Sequence, residues 1–192
     1  MNKIIFFLIV CIIVIGGCKP DAKNLTVKNN ADSLKYYPID YFWIAQLRKI
    51  DSSPFYIYKI IIDKKKKDST ELNKGECKQI ASYFSAINTD TKLFKKNYKE
   101  SVFNDASTAS ITFNYSCIYD SLPLKSLDIL MNETTQEVTR IFIRKSFLKG
   151  DTLITENAGW KTDANFYINT TKEIKDNNPV SQQLIVVWNQ NK

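Results

Sequence analysis

The sequence predicts an α+β fold: two or three short helices early, then an antiparallel meander of about six to seven strands. Three observations predict it. Helical periodicity is confined to residues 40–98. From residue 107 onward, stretches rich in β-branched and aromatic residues alternate with turn residues. The last stretch, Leu184-Ile185-Val186-Val187-Trp188, is apolar on both faces, which suits a strand inside the sheet or under a helix.

The elements follow in order. Asp40 is expected to cap a helix running to about Ile50, with Trp43, Leu47 and Ile50 on one stripe. The surrounding aromatics Tyr36, Tyr37, Tyr41, Phe42 and Trp43 read as core packing, with a ligand platform as the alternative. Residues 55–62 (FYIYKIII) read as a strand. The run Lys64-Lys65-Lys66-Lys67 reads as an exposed turn, with contact to an anionic lipid or polysaccharide as the sharper alternative. Residues 73–87 give the clearest helix. Asn73 followed by Glu76 resembles a capping box, and Cys77, Ile80, Ala81 and Phe84 share one face. A short helix over 91–98 and an edge strand at Val102-Phe103 follow.

In 107–118 the residues Ile111, Phe113, Tyr115 and Cys117 alternate with Thr112, Asn114 and Ser116. Strands over 124–131 and 137–147 are joined by residues 132–136. Pairing Leu127 with Ile141 would set Asp128 opposite Arg140. Lys149-Gly150 fits a tight turn into 151–161, and strands over 166–174 and 182–188 flank the turn Asp176-Asn177-Asn178-Pro179.

The N-terminus has its own logic. Lys3 precedes an apolar run of twelve residues, 4–15, then Gly16, Gly17 and Cys18. A positive start, a short apolar core and small residues before a cut define a secretory signal. Twelve helical residues reach about 18 Å, too short for a bilayer core of about 30 Å. Cys11 lies in this run and leaves with it. The ending Ile15-Gly16-Gly17-Cys18 resembles the lipobox of bacterial lipoproteins. That resemblance implies cleavage after Gly17, a diacylglyceryl group on the Cys18 sulfur and acylation of the new amine. Two or more acyl chains anchor stably. Lys19 stands where an Asp would signal inner-membrane retention, so the resemblance favours the outer membrane. Residues 18–35 are polar and read as a tether, leaving 36–192 as a single α+β domain. The CKPD start of the mature chain, its Lys/Asn/Ile-rich style and the VVWN ending resemble small uncharacterised envelope lipoproteins of Bacteroidota. This second resemblance implies no activity and transfers no residue.

Composition excludes several chemistries. Removing 17 residues from 192 leaves 175, ample for one core without a metal or a disulfide. The chain carries +7, or +6 once Lys3 is lost. A basic chain suits nucleic acid, but export removes it from that partner, and a solvated basic surface is the plain reading. The chain has no histidine, so no Ser-His-Asp triad, Cys-His pair or His-ligated zinc can form. Only Gly75, Gly150 and Gly159 survive cleavage, too few for a GxGxxG or P-loop motif. No cofactor or metal site is expected.

Candidate residues remain few. Cys77 and Cys117 are the one cysteine pair left beyond Cys18; they are a candidate disulfide in an oxidising compartment, or else two buried thiols. Arg140 and Arg144 lie on one strand face and flank Phe142. They are candidate contacts for an anionic group, or partners of carboxylates such as Asp128. Among Asp105, Asp120, Asp128, Glu133, Glu137 and Asp151, no spacing singles out a catalytic pair. Trp160, Tyr167 and Trp188 fit a carbohydrate face or core packing. The expectation is a lipid-anchored, non-enzymatic binding domain with an envelope protein or glycan as partner. A periplasmic inhibitor or immunity protein, and a histidine-free carboxylate glycan hydrolase, are the alternatives.

Overall fold

The computed structural model describes residues 36–64, 66–175 and 177–188. The signal segment, Cys18 and the tether lie outside the described residues. Residues 34–192 form one compact unit. Its described part holds three helices, α1 (Ile39–Ser52), α2 (Lys74–Ser85) and α3 (Lys92–Asn97), and nine strands. The strands are β1 (Ile57–Asp63), β2 (Lys66–Leu72), β3 (Tyr98–Asp105), β4 (Ser110–Cys117), β5 (Leu124–Asn132), β6 (Val138–Lys149), β7 (Thr152–Lys161), β8 (Asn165–Ile174) and β9 (Val180–Val187). They make a single sheet in the order β2-β1-β9-β8-β7-β6-β5-β4-β3. Every neighbouring pair is antiparallel.

The expected α+β class with a meander from β3 to β9 is present, but the sheet has nine strands rather than six or seven. The strand that sequence reading missed is β2. Lys64 does sit in a turn, but Lys66 and Lys67 continue into a strand exposed along its length except at Leu72. Alternation is erased there because β2 is an edge with neither face in the core, and charged side chains guard such edges against further pairing. The β1–β2 hairpin joins the meander through β9, which lies between β1 and β8.

Periodicity then sorts side chains into two faces. One face carries the helices. It buries Tyr115, Leu127, Ile129, Ile141, Ile143, Trp160, Phe166 and Val186 against Ile39, Trp43, Ile50 and Phe84. Trp160 sits at the centre, with the rings of Phe166 (4.8 Å), Phe84 (5.1 Å), Trp188 (5.3 Å) and Trp43 (5.4 Å) around it. Core packing is therefore the fate of Trp160 and Trp188, and of Phe42 and Trp43, whereas Tyr41 is 70% exposed.

Local expectations divide. The capping box of α2 forms: the Glu76 amide donates to Asn73 Oδ1, and the Asn73 amide donates to Glu76 Oε2, both at 2.9 Å. Asp40 does not cap α1. The helix begins at Ile39, two residues earlier than a cap at Asp40 implies, behind Pro38 with no side-chain cap, and Asp40 lies in the first turn, where its charge favours the helix dipole. The β5–β6 register also differs from the expected one. Leu127 pairs with Ile143 and Asp128 with Phe142, so Asp128 is not opposite Arg140. The Asn132 amide closes the turn on the Glu137 carbonyl, and Thr139 is an extra residue between the Leu130–Arg140 and Met131–Val138 pairs. The turn and this bulge together slide β6 by two residues, which preserves the faces while changing every partner.

Cys77 and Cys117 are free thiols in this structure, the first buried and the second half-buried. Cys77 lies on α2, and burial with the nearby Asp51 charge pushes its thiol up to about 11. Cys117 ends β4 opposite Tyr98. Peptide mapping after denaturation without reductant is expected to find both alkylated. In the native protein at pH 8, Cys77 is expected to resist iodoacetamide, since about one thiol in a thousand is then ionised. A bridged Cys77–Cys117 peptide would contradict the free-thiol structure.

Candidate functional site

The helix-free face carries the arginines. Arg140 and Arg144 are both exposed, on either side of half-buried Phe142. Among the described residues neither arginine has a carboxylate within ion-pair distance. The expected partner is engaged elsewhere: Asp128 accepts a hydrogen bond from the Asn114 amide group across β4 and β5. The Ser116 hydroxyl in turn donates to Asn114 Oδ1 at 3.0 Å. Arg144, Asn114, Asp128, Asn157 and Tyr167 line one open hollow of about 460 Å³.

Tyr167 holds its place there through a glycine. Gly159 pairs with Phe142 on one side and with Tyr167 on the other. A Cβ built on Gly159 would stand 2.5 Å from the Tyr167 ring, so the ring lies across the space a side chain would fill. Of the aromatic trio singled out in the sequence, only Tyr167 reaches this face. The hollow offers unpaired guanidinium charge, amide and carboxylate hydrogen-bonding groups, and aromatic surface.

The helix-bearing face holds a second concavity that sequence reading missed. It is a cleft of about 810 Å³ between the C-terminal end of α2, α3, and β5 to β7. Its wall includes Ile87, Phe94, Leu124 and Phe147, and Leu93 and Leu148 form its lips at 69% and 72% exposure. Lys145 enters this apolar setting. Its ammonium lies 3.6 Å from the centre of the Tyr83 ring, and Lys145 pairs across the strands with Glu156. Burial lowers the Lys145 pKa, and the Glu156 charge works in the opposite direction. The Tyr83 hydroxyl is pushed up by burial first and by Glu156 second. The one sequence signal for this site was the placement of Lys145 among inward-facing positions of β6. Its other walls come from segments far apart in the chain.

A third hollow of about 330 Å³ at α1 includes Asp163, whose carboxylate is held by Lys49 at 2.6 Å and Gln46 at 2.9 Å. Among the described residues no group of three or more His, Cys, Asp or Glu could hold a metal ion, and no helix is long and apolar enough to cross a membrane. Asp105 has a local role: it accepts from the Ser107 and Thr108 hydroxyls in the β3–β4 turn, and these bonds lower its pKa. The chain matches no protein-family model and no curated protein sequence.

Gly159→Ala is expected to lower the thermal midpoint, because the ring of Tyr167 must move; overpacking of this kind costs about 1–3 kcal/mol. Thermal unfolding checks it, and an unchanged midpoint would show that Tyr167 does not depend on the glycine.

Proposed function

We propose that the protein is a lipid-anchored component of the bacterial envelope, attached through Cys18, whose domain binds an acidic glycan on the helix-free face of the sheet. The observation that carries this reading is the pair of exposed guanidinium groups, Arg140 and Arg144, without acidic partners among the described residues. An exposed arginine paired with a carboxylate has its charge neutralised; these two leave charge available for an incoming anion, and their planar forks suit a carboxylate or sulfate. Tyr167 and Phe142 add flat apolar surface against which a sugar ring can pack, and Asn114, Asp128 and Asn157 supply donors and acceptors for hydroxyls. A binding role needs no histidine or glycine-rich loop. The lipobox resemblance supports the anchor, and an anchored domain would meet envelope polysaccharides.

Two measurements test it. Mass spectrometry of the detergent-extracted protein is expected to find Cys18 as an acylated N-terminus, and a chain retaining Met1 would overturn the anchor. Immobilised polygalacturonate is the probe for the face, with neutral dextran as its control. The protein is expected to bind the first and not the second, less tightly as salt rises. The Arg140→Gln/Arg144→Gln variant is expected to bind about tenfold or more weakly, as loss of charged hydrogen bonds implies. Equal binding to both polymers, or a variant that binds like the parent, would overturn the reading.

A further inference from the structure

Lys145 is the neighbour of Arg144 in β6, so the two side chains leave the strand on opposite faces. What Lys145 does is therefore separate from the glycan face. A lysine costs free energy where water is removed from it, and a methionine of similar length would fill the same space without that cost. The side chain nevertheless enters the apolar cleft. Among the described residues its ammonium has no carboxylate within ion-pair distance. Its close neighbour is the π face of Tyr83, which attracts a cation without neutralising it. Glu156 is its cross-strand partner, yet its influence does not outweigh burial.

The cleft is thus a largely apolar container with two charged side chains in its lining, Lys145 and Glu156, and the lysine ammonium is not ion-paired among the described residues. Its volume of about 810 Å³ lies within the range of small-molecule sites, roughly 300–1,000 Å³. Leu93 on α3 and Leu148 near the end of β6 keep its lips apolar and exposed, which gives a ligand an unhindered apolar entry. An occupant that satisfies all of this has a flexible hydrocarbon body and an anionic head.

We propose that this cleft binds a single-chain amphiphile with an anionic head group, with Lys145 facing the head and the walls formed by Phe94, Leu124 and Phe147 covering the chain. Burying the methylenes of the chain takes apolar surface from water, so a modest chain is held firmly, and the head orients it. Tyr83 positions the ammonium at the ring face.

The test uses the full chain and calorimetric titration with dodecanoate and dodecylamine, each below its micelle concentration. Dodecanoate is expected to saturate at one per chain, and dodecylamine to bind at least about tenfold more weakly, a charged hydrogen bond being exchanged for repulsion. Lys145→Met is expected to keep or raise the thermal midpoint while weakening dodecanoate about tenfold or more. Leu148→Glu, at an exposed position, is expected to weaken it without unfolding the domain. Equal affinity for the two amphiphiles, or unaltered dodecanoate binding by Lys145→Met, would overturn the proposal. Titration with lysophosphatidylglycerol separates two sources of the same chemistry: tighter binding than dodecanoate assigns a membrane lipid, and weaker binding assigns a free fatty acid. Polygalacturonate binding by Lys145→Met is expected to match the parent, so the two sites fail or stand separately.

Discussion

The rest of the structure depends on how α1 is fastened to β7. Gln46 is buried, yet every polar atom of its side chain is used. Its Oε1 accepts from Trp160 Nε1 and from the Asp163 backbone amide, both at 3.0 Å, and its Nε2 donates to Asp163 Oδ1 at 2.9 Å. Lys49, one position short of a full turn further on, adds an ion pair to the same carboxylate. A buried amide with such partners is stabilising, whereas an orphaned one costs about 1–3 kcal/mol. The clasp is directional where the surrounding aromatic packing is not. It sets which part of α1 lies over Trp160, and Trp160 in turn organises the rings of Phe84, Phe166 and Trp188. Asp163 can take part because it sits at φ 58° in the loop between β7 and β8, a left-handed conformation that aspartate tolerates better than most residues.

Once α1 is set, the helices cover one face of the sheet and leave the other bare. That asymmetry gives the two sites their different chemistry. Over the helix-bearing face, the C-terminal end of α2, the segment after it and α3 line the cleft together with the first residues of β5 and the end of β6. A second buried network secures the far side. The Tyr37 amide donates to the Tyr115 hydroxyl at 2.8 Å, and that hydroxyl donates to buried Glu100 at 2.6 Å. Tyr36 stacks on Tyr115 and meets Phe94 edge-on, so the start of the described chain is tied to a residue of the cleft wall. On the bare face no ion pair holds Arg140 or Arg144 among the described residues, and the Gly159–Tyr167 pair keeps an aromatic ring against the strands.

Local chemistry was readable wherever it was self-contained. The α2 capping box needs four consecutive residues, and Asn73 with Glu76 announced it. The alternation of Ile111, Phe113, Tyr115 and Cys117 marked β4, where Tyr115 is buried and Phe113 and Cys117 pack against the core while Ser116 is exposed. The apolar character of Ile185 and Val187, beside buried Val186, correctly put β9 inside the sheet. Reading failed where a partner decides the outcome. β2 has no buried face and looks like a charged loop until β1 pairs with it. The Asp128–Arg140 pairing was displaced by a bulge at Thr139 that no local pattern marks. The arginines were visible as candidates, but their lack of an ion pair depends on Asp128 turning to Asn114. The cleft was not visible at all, since its walls come from four separate segments that only the fold brings together.

The most direct test of this account is a double-mutant cycle between Gln46→Ala and Trp160→Phe, measured by reversible denaturation. If the clasp directs the packing of α1, the two losses are coupled by about 1 kcal/mol or more, because each change already breaks the bond that the other would remove. Losses that add to within about 0.3 kcal/mol would contradict it and would make undirected aromatic packing sufficient to place the helix.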